Sequence, residues 1–360
     1  MTNSLRVAIL GAGNGAHAMA AHLSLMGYPI RLYNKFAHEL EAMQAAGGIT
    51  VEDAVEGFGR LEMATTDPAQ VIPWADVLLV VVPAFAHRVL AQTMAPYLRD
   101  GQVILLNPGR TGGALEVRQV LRQEGVQARV YVAEAQTLVY ACRIQGPARV
   151  RIMGVKQQVP VAALPASDNA VVLEKVGKLY PQFVAAPNVL HTSLDNIGAV
   201  FHPATVVFNT NRIEAGEEFE FYRGMTPTVA SYLEAIDAER VRTAEAYGVP
   251  AQTAMEWLKV TYPGVEGKNL YECIQSTRAY AGIMAPKTLD VRYISEDIPM
   301  GLVPMVSFAQ AAGLEAPASR AIADICCVLH RRDYWRSGRT LENLGLAGMG
   351  PEEVIRYVSG

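Results

Sequence analysis

The sequence predicts an α/β protein in which an N-terminal doubly wound, mostly parallel sheet precedes an all-helical C-terminal domain. Three observations support this prediction: short β-branched segments alternate with helical ones in the first half, a glycine-rich turn joins the first strand to the first helix, and long helical patterns fill the second half. At 360 residues the chain exceeds the length at which one hydrophobic core stops growing, so two domains are expected, residues 1–186 and 187–360.

The first half alternates between two kinds of segment. The predicted strands are RVAIL, PIRLYN, VLLVVV, QVILLNP, VYVAEAQ and ARVRIMGV, and the first three helices follow as HAMAAHLSLMG, HELEAMQAAG and AHRVLAQTMAPYL. Strands separated by helices are typical of βαβ units, whose parallel sheet is covered by helices on both faces. The sheet is expected to extend to about residue 185.

The second half shows helical periodicity instead. In VASYLEAIDAERVRTAEAYG, a helix places Val229, Leu233, Ile236 and Val241 on one face and leaves the charged residues on the other. Gly248 is expected to end this helix.

Charge and cysteine usage exclude several classes of function. The net charge is −4 and no block of Lys or Arg occurs, so binding to nucleic acid or an anionic membrane surface is not expected. The four cysteines have neither disulfide nor zinc-ligand spacing, so no metal site is predicted. No signal peptide or membrane-spanning segment is recognised, and a cytoplasmic protein with small-molecule partners is expected.

The strongest local motif lies at the first strand–helix turn. VAILGAGNGAHAMAAHL contains Gly11, Gly13 and Ala16 in G-x-G-x-x-A spacing, with Asn14 and Gly15 in the same loop. Gly11 permits the tight turn, Gly13 lets the backbone approach a pyrophosphate, and Ala16 allows the helix to pack closely on the strand. The context predicts a Rossmann domain with its dinucleotide at the helix N-terminus.

Asn34 and Lys35 end the second strand, where an acidic residue binds the adenosine ribose in NAD enzymes. An amide followed by a cation does not repel a 2′-phosphate, which slightly favours NADP over NAD. The alternative is an exposed Lys35 and an Asn34 that hydrogen-bonds the ribose of NAD. A buried strand then stops at Pro83, with Val82 before it as a further candidate for cofactor contact. Pro83 and Phe85 are expected to line the nicotinamide side, whereas His87 is interpreted as a surface residue.

Five motifs together resemble the octopine/nopaline (opine) dehydrogenase family, close to its bacterial N-(1-carboxyethyl)amino-acid members. They are GAGNGAHAMA, VVVPAFAH, LNPGRTGGALE, HTSLDNIGAVFHP and RYISEDIPMGLVP, and the resemblance covers nearly the whole chain. It implies a Rossmann domain joined to a helical domain, with the active site in the cleft between them. It also implies a homodimer that condenses an amino acid with a 2-oxo acid such as pyruvate and reduces the imine with NAD(P)H.

The resemblance assigns the family's histidine–aspartate pair to His202 and Asp297. An imidazole exchanges protons near neutral pH, and a carboxylate beside it fixes its tautomer. This role explains why an apolar helix carries His202 directly before Pro203, which weakens the helix. Without the family, His202 reads as a core residue and Asp297 as part of an exposed acidic loop.

Four further residues are candidates for substrate or cofactor contacts. Arg292 matches a family arginine and is the first choice for a carboxylate clamp, and Arg143 is a weaker choice because arginines at strand ends usually face solvent. Glu134 corresponds to an acidic group that faces the amino-acid substrate in the family, or it has a structural role. Asn196 either hydrogen-bonds the nicotinamide amide or caps a helix.

Two other functions remain open from the sequence. A dehydrogenase of the glycerol-3-phosphate or ketopantoate type acts on a hydroxyl and uses a lysine early in its helical domain, but this chain has no lysine between Lys178 and Lys259. A non-catalytic NAD(P) sensor needs no proton relay. A hydrogen-bonded pair of His202 and Asp297 favours an enzyme over the sensor.

Overall fold

The computed structural model describes residues 5–360, which form two compact units. The first unit extends to Thr192 and includes the C-terminal segment Tyr357–Gly360, and the second comprises Ser193–Arg356. The predicted boundary after residue 186 precedes this division, which falls within the short helix Val189–Ser193. The C-terminal return, which the sequence did not indicate, places the Arg122 guanidinium 5.4 Å from the centre of the Tyr357 ring.

The first unit contains an eight-stranded sheet of order β12-β11-β8-β7-β6-β1-β2-β5. All pairings in it are parallel except that of β8 with β11. This confirms the predicted doubly wound, mostly parallel sheet. The twelve strands of the unit are β1 Val7–Leu10, β2 Ile30–Tyr33, β3 Gly48–Asp53, β4 Gly57–Arg60, β5 Met63–Thr65, β6 Val77–Val80, β7 Val103–Leu106, β8 Tyr131–Ala135, β9 Tyr140–Gly146, β10 Arg149–Val155, β11 Val159–Leu164 and β12 Phe183–Ala185.

A second, four-stranded sheet has the order β4-β3-β10-β9, and the expectation of a single sheet is therefore wrong. The segment ARVRIMGV forms β10 in this sheet rather than a strand of the main one. Its residues alternate, with Val150 and Ile152 buried and Arg149 and Arg151 exposed, as expected of a sheet with one solvated face. The central strands of the main sheet are instead buried on both faces.

Six α-helices belong to the described part of the first unit. They are α1 Asn14–Leu25, α2 Glu41–Ala46, α3 His87–Met94, α4 Gly113–Gln123, α5 Asn169–Leu179 and α6 Val189–Ser193, the last of which crosses into the second unit. Helix α1 packs against strands of the second sheet, so that its wholly buried alanines lie between two sheets. No helix among residues 5–360 is long and apolar enough to span a membrane.

The second unit is helical, as predicted, and among its described residues the β-structure consists of one isolated bridge between Glu220 and Met284. Its helices are α7 Ile197–Val207, α8 Thr210–Glu214, α9 Pro227–Ala246, α10 Ala254–Thr261, α11 Leu270–Ser276, α12 Arg292–Ser295, α13 Val303–Ala311, α14 Pro317–His330, α15 Tyr334–Ser337 and α16 Pro351–Ser359, the last of which ends in the first unit. A π-helix, Ile298–Leu302, leads directly into α13.

Helix α9 departs from its predicted arrangement, in which all charged residues are exposed. Asp237, Glu239 and Arg240 are buried because each has a specific partner. Arg240 forms ion pairs with Asp237 at 2.8 Å and with Asp195 at 3.2 Å. Glu239 accepts the backbone N–H of Ser319 at 2.8 Å near the start of α14. Paired charges tolerate burial, and amphipathic spacing alone does not reveal such pairs.

Candidate active site

The glycine loop between β1 and α1 has the geometry that dinucleotide binding requires. Gly11 has φ +127°, a conformation that favours glycine, and a Cβ there would overlap the carbonyl oxygen of Val81. Its N–H donates to the carbonyl of Tyr33 at 2.8 Å, which ties the turn to β2. A Cβ on Gly13 would meet nothing within 4 Å, so space is open beside the N-terminus of α1. This loop fits a pyrophosphate.

The other loop residues secure the start of α1. A Cβ on Gly15 would lie 2.9 Å from a methyl carbon of Val81, and Ala16 is wholly buried, so both positions require small residues. The side-chain oxygen of Asn14 accepts the backbone N–H of Ile144 at 2.8 Å. Asn14 therefore connects the glycine loop to β9, and its predicted contact to the cofactor stays a prediction.

At the end of β2, the side-chain amide of Asn34 donates to Glu39 at 2.7 Å and to the carbonyl of Phe36 at 3.2 Å. Lys35 is exposed. Burial lowers the pKa of His17, although hydrogen bonds to the backbone of Gly13 and Ala12, and to a lesser degree the charge of Glu39, oppose this. His17 Nδ1 lies 3.1 Å from the Gly13 carbonyl, which ties this ring to the glycine loop.

Val82 and Pro83, which follow β6, are partly exposed, as residues lining a cofactor would be. The prediction that His87 lies on the surface is wrong, because it is wholly buried at the start of α3. Its ring faces the start of α4, where a Cβ on Gly113 would lie 3.5 Å from the His87 Nδ1. The sequence places His87 near the start of a helix, a position that does not distinguish a buried from an exposed side chain. It does not indicate that α4 packs against α3 and covers this residue.

Glu134 is wholly buried in β8 and holds backbone elements together. Its carboxylate accepts the backbone N–H of Ala114 at 2.7 Å and the hydroxyl of Thr192 at 2.6 Å. It also lies against Gly109, where a Cβ would come within 2.6 Å of the Glu134 Cβ. These contacts favour the structural alternative for Glu134. Arg143 is exposed on β9, in register with Arg151, which agrees with a solvent-facing arginine.

In the second unit, the structure brings His202 of α7 and Asp297 together. His202 Nδ1 lies 2.7 Å from Asp297 Oδ2, and its Nε2 lies 3.0 Å from the hydroxyl of Tyr222. The Asp297 side chain is 3% exposed and that of His202 is 17% exposed, so the ring has limited access to solvent. Tyr293 stacks on the imidazole with ring centres 4.3 Å apart.

Local backbone features position this pair. Helix α7 continues through Pro203, which follows His202 and cannot donate a backbone hydrogen bond. Asp297 directly precedes the π-helix, whose Gly301 is so close to α7 that a Cβ would lie 2.7 Å from that of Ala199. π-Helical turns are frequent at functional sites, and this one sets the approach of Asp297 to α7.

The remaining predicted residues flank the pair. Asn196 occupies the N-cap position of α7 but makes no side-chain capping hydrogen bond there. Arg292 begins α12, and its guanidinium donates to Glu296 at 2.8 Å and 2.5 Å. The Arg292 side chain is still 60% exposed, whereas that of Glu296 is 4% exposed. Glu296 therefore orients an accessible cation five residues before Asp297.

Both units of the chain match known protein families. Residues 185–330 match the family model of the NAD/NADP octopine/nopaline dehydrogenase α-helical domain, and residues 6–132 match that of the NAD-dependent glycerol-3-phosphate dehydrogenase N-terminus. An opine dehydrogenase from Arthrobacter sp. (strain 1C) is 39% identical over 351 residues, which are 97% of each chain. The chain belongs to the octopine/nopaline dehydrogenase family. It is accordingly an NAD(P)-dependent oxidoreductase that acts on CH–NH groups, and the predicted cofactor, NAD or NADP, is confirmed.

More distant opine dehydrogenases match over similar lengths. The octopine dehydrogenase of Mizuhopecten yessoensis is 29% identical, with 87% of each chain covered. A solved structure of octopine dehydrogenase in complex with NADH and agmatine is 25% identical and has a TM-score of 0.81, with 98% of each chain covered. The similarity thus extends across both units of the chain.

Sequence reasoning on this opine dehydrogenase-family chain missed several residues near the predicted sites. Tyr222 lies in the segment EFEFYRG, which has no periodicity that would indicate a partner for His202. Tyr293 adjoins Arg292 within a recognised motif, but nothing in the sequence indicates that it stacks on His202. Glu39 lies beyond the end of β2, and only the fold of the intervening turn brings it to Asn34. Among residues 5–360, no group of three or more His, Cys, Asp or Glu side chains is arranged to hold a metal ion.

Proposed function

We propose that this protein is an opine dehydrogenase that condenses an amino acid with a 2-oxo acid such as pyruvate and also catalyses the reverse oxidation. In this proposal His202 exchanges the proton and Asp297 orients the imidazole. The observation that carries the proposal is the 2.7 Å contact between His202 Nδ1 and Asp297 Oδ2 in a nearly buried setting. A non-catalytic NAD(P) sensor does not require a hydrogen-bonded histidine–aspartate pair.

The choice of substrates is supported by what has been solved for octopine dehydrogenase. Its structures include one with NADH and L-arginine and one with NADH and pyruvate. An amino acid and a 2-oxo acid are therefore the first substrates to test on this chain. The identity of each, a homodimeric assembly and a cytoplasmic location stay predictions.

The chemistry places distinct demands on the protein. The substrate amine attacks the oxo-acid carbonyl, water leaves, and an imine forms. The bound nicotinamide cofactor supplies the hydride that reduces this imine. His202 returns a proton in the synthetic direction and removes one from the amine or carbinolamine in the oxidative direction. Asp297 accepts Nδ1–H, so that Nε2 is the nitrogen that exchanges protons, and its charge stabilises the imidazolium.

A dicarboxylic product also requires cations. Arg292 is our first choice for a carboxylate clamp, because Glu296 holds its guanidinium while leaving most of the side chain exposed. Substitution by lysine would keep the charge but lose the forked geometry of the guanidinium. The Arg292→Lys variant is therefore expected to raise KM for a substrate carboxylate more than it lowers kcat.

We further propose that the protein prefers NADH to NADPH, against the slight preference that the sequence suggested. The hydrogen bond from Asn34 brings the Glu39 carboxylate to the end of β2. A negative charge at this place repels a 2′-phosphate and accepts a hydrogen bond from a ribose hydroxyl. Lys35 follows Asn34 directly, but its side chain is exposed, so water and salt weaken the attraction of its charge for a 2′-phosphate.

A hydroxyl dehydrogenase is the second candidate, because residues 6–132 match the N-terminal model of glycerol-3-phosphate dehydrogenase. That match concerns the dinucleotide-binding unit and not the unit that carries His202. An assay of cofactor oxidation distinguishes the two functions. A hydroxyl dehydrogenase would oxidise the reduced cofactor with a carbonyl substrate alone, whereas an opine dehydrogenase also needs an amino acid.

The deciding experiment follows oxidation of NADH and of NADPH by absorbance, with pyruvate plus a panel of amino acids. Pyruvate alone and each amino acid alone serve as controls. The proposal expects oxidation only when both substrates are present, and formation of a secondary amine detected by mass spectrometry. Oxidation with pyruvate alone would contradict it. The His202→Gln variant, with cofactor binding measured in parallel, should lose turnover but keep cofactor affinity.

A further inference from the structure

Both ring nitrogens of His202 have partners in this structure. Asp297 engages Nδ1, and the phenol hydroxyl of Tyr222 lies 3.0 Å from Nε2. In the proposed function Nε2 is the nitrogen that exchanges protons with the substrate. Tyr222 therefore contacts the atom on which the reaction depends, although it lies 20 residues away in sequence.

The Tyr222 hydroxyl acts as a donor in this contact. Burial, together with Tyr280, Tyr293, Tyr262 and Asp297 around it, raises the pKa of the phenol, so it keeps its proton at neutral pH. Since Asp297 accepts Nδ1–H, Nε2 of the neutral imidazole carries a lone pair. The hydroxyl of Tyr222 supplies the hydrogen that this lone pair accepts.

Aromatic packing holds both rings in this arrangement. Tyr222 stacks on Tyr280 with ring centres 4.0 Å apart and meets Phe221 edge to face at 5.0 Å. Tyr293 covers one face of the imidazole. Within residues 5–360, His202 is the hydrogen-bond partner of the Tyr222 hydroxyl. If Nε2 became protonated, this hydroxyl would have to turn its own hydrogen towards the surrounding aromatic rings.

We propose that Tyr222 is a positioning residue for His202, one that holds the imidazole in the neutral form with its hydrogen on Nδ1 and its lone pair on Nε2. The groups that face His202 are Asp297, which favours the cation, and Tyr222, which favours the neutral ring; Tyr293 and Phe221 contribute aromatic faces. These two partners engage opposite nitrogens of the ring, which leaves Nε2 as the proton-accepting nitrogen that the proposed function requires. This inference rests on the proposed function in that His202 exchanges the proton.

The first test observes His202 directly by NMR of protein labelled with ¹⁵N-histidine, using His202→Gln to assign its signals among the seven histidines. In the parent protein we expect a neutral ring protonated on Nδ1. In Tyr222→Phe we expect the pKa of His202 to rise by roughly half to one unit, because a hydrogen bond to the neutral form is lost. Tyr280→Phe is the matched control, since it removes a hydroxyl from the adjacent stacked ring and should leave the titration unchanged.

The second test measures the pH profile of kcat/KM for opine oxidation. Tyr222→Phe should move the acidic limb of the profile to higher pH, by the same amount as the His202 titration moves in the NMR experiment. Tyr280→Phe should not move it. An unchanged tautomer and titration in Tyr222→Phe would overturn the proposal whether or not the protein turns over an opine. If instead the NMR shift occurs and no opine is oxidised, the assignment of Tyr222 stands and the proposed function fails.

Discussion

The side-chain nitrogen of Asn34 lies 2.7 Å from a carboxylate oxygen of Glu39. This contact gives the end of β2 a negative charge that residue 34 itself lacks. It also uses the amide hydrogens of Asn34, because the carbonyl of Phe36 accepts from the same nitrogen. In the proposed preference for NADH, the charge of Glu39 disfavours the 2′-phosphate of NADPH.

Replacing Glu39 with Gln is expected to improve NADPH binding relative to NADH by about tenfold, since one charge close to the 2′-phosphate is removed. Titrations of both reduced cofactors, followed by their fluorescence, measure the two dissociation constants without any turnover. Glu41→Gln is the matched control because it removes an exposed carboxylate two residues further on. An unchanged ratio of the two constants in Glu39→Gln would show that Glu39 does not select the cofactor.

Asp297→Asn should lower kcat by roughly 10²-fold or more, the scale at which positioned acid–base groups contribute. The amide is close in shape to the carboxylate but cannot stabilise an imidazolium on His202 by charge. Steady-state kinetics with both substrates, together with cofactor titration, check this expectation. Asp324→Asn, which alters a carboxylate bonded to Trp335 in the same unit, should keep normal kcat. Equal kcat in Asp297→Asn and the parent protein would remove Asp297 from the mechanism.

Much of the fold follows from local patterns in the sequence. The apolar runs of β1, β6 and β7 lie at the centre of the main sheet and are buried on both faces, so their composition alone predicts them as strands of a parallel sheet. The second sheet was not predicted because β10 pairs with β3, almost a hundred residues earlier, and no local pattern records such a pairing. Strand β10 has the alternation of a half-solvated strand, which does not specify the sheet to which it belongs.

The candidate sites were predictable to a similar extent. Gly11 and Gly13 carry a motif whose physical requirements are local, and the structure satisfies them. Asp297 was paired with His202 through family resemblance alone, because 95 residues separate them. Tyr222 carries no comparable signal, since a tyrosine in an aromatic segment reads equally well as core. Its contact with His202 depends on tertiary packing.

Gly109→Ala is expected to destabilise the dinucleotide-binding unit by about 1–3 kcal/mol. The added methyl group would overlap the carboxyl group of Glu134, and that side chain would lose its bonds to Ala114 and Thr192 if it moved. Urea unfolding and cofactor titration measure the effect. Gly146→Ala is the control, because a Cβ there meets nothing within 4 Å. Equal stability of the two variants would show that the Glu134 contacts adjust without cost.

Asp76 should make the free energy of unfolding of the first unit depend on pH in the acidic range. Although burial raises its pKa, hydrogen bonds from Arg6 and Arg99 outweigh this and lower the value from 3.8 to about 2. A pKa lower in the folded than in the unfolded state stabilises the protein above pH 4, and this contribution is lost as the pH falls towards 2. Asp76→Asn should therefore reduce the free energy of unfolding by about 2 kcal/mol at pH 7, with the difference from the parent protein shrinking below pH 4.

Urea unfolding across this pH range tests the effect of Asp76→Asn. Glu62→Gln, which removes an exposed ion pair with Arg31, is the control and should change the free energy of unfolding by less than about 0.5 kcal/mol at every pH. A difference for Asp76→Asn that stays constant down to pH 2.5 would mean that packing, rather than the charge of Asp76, accounts for its contribution.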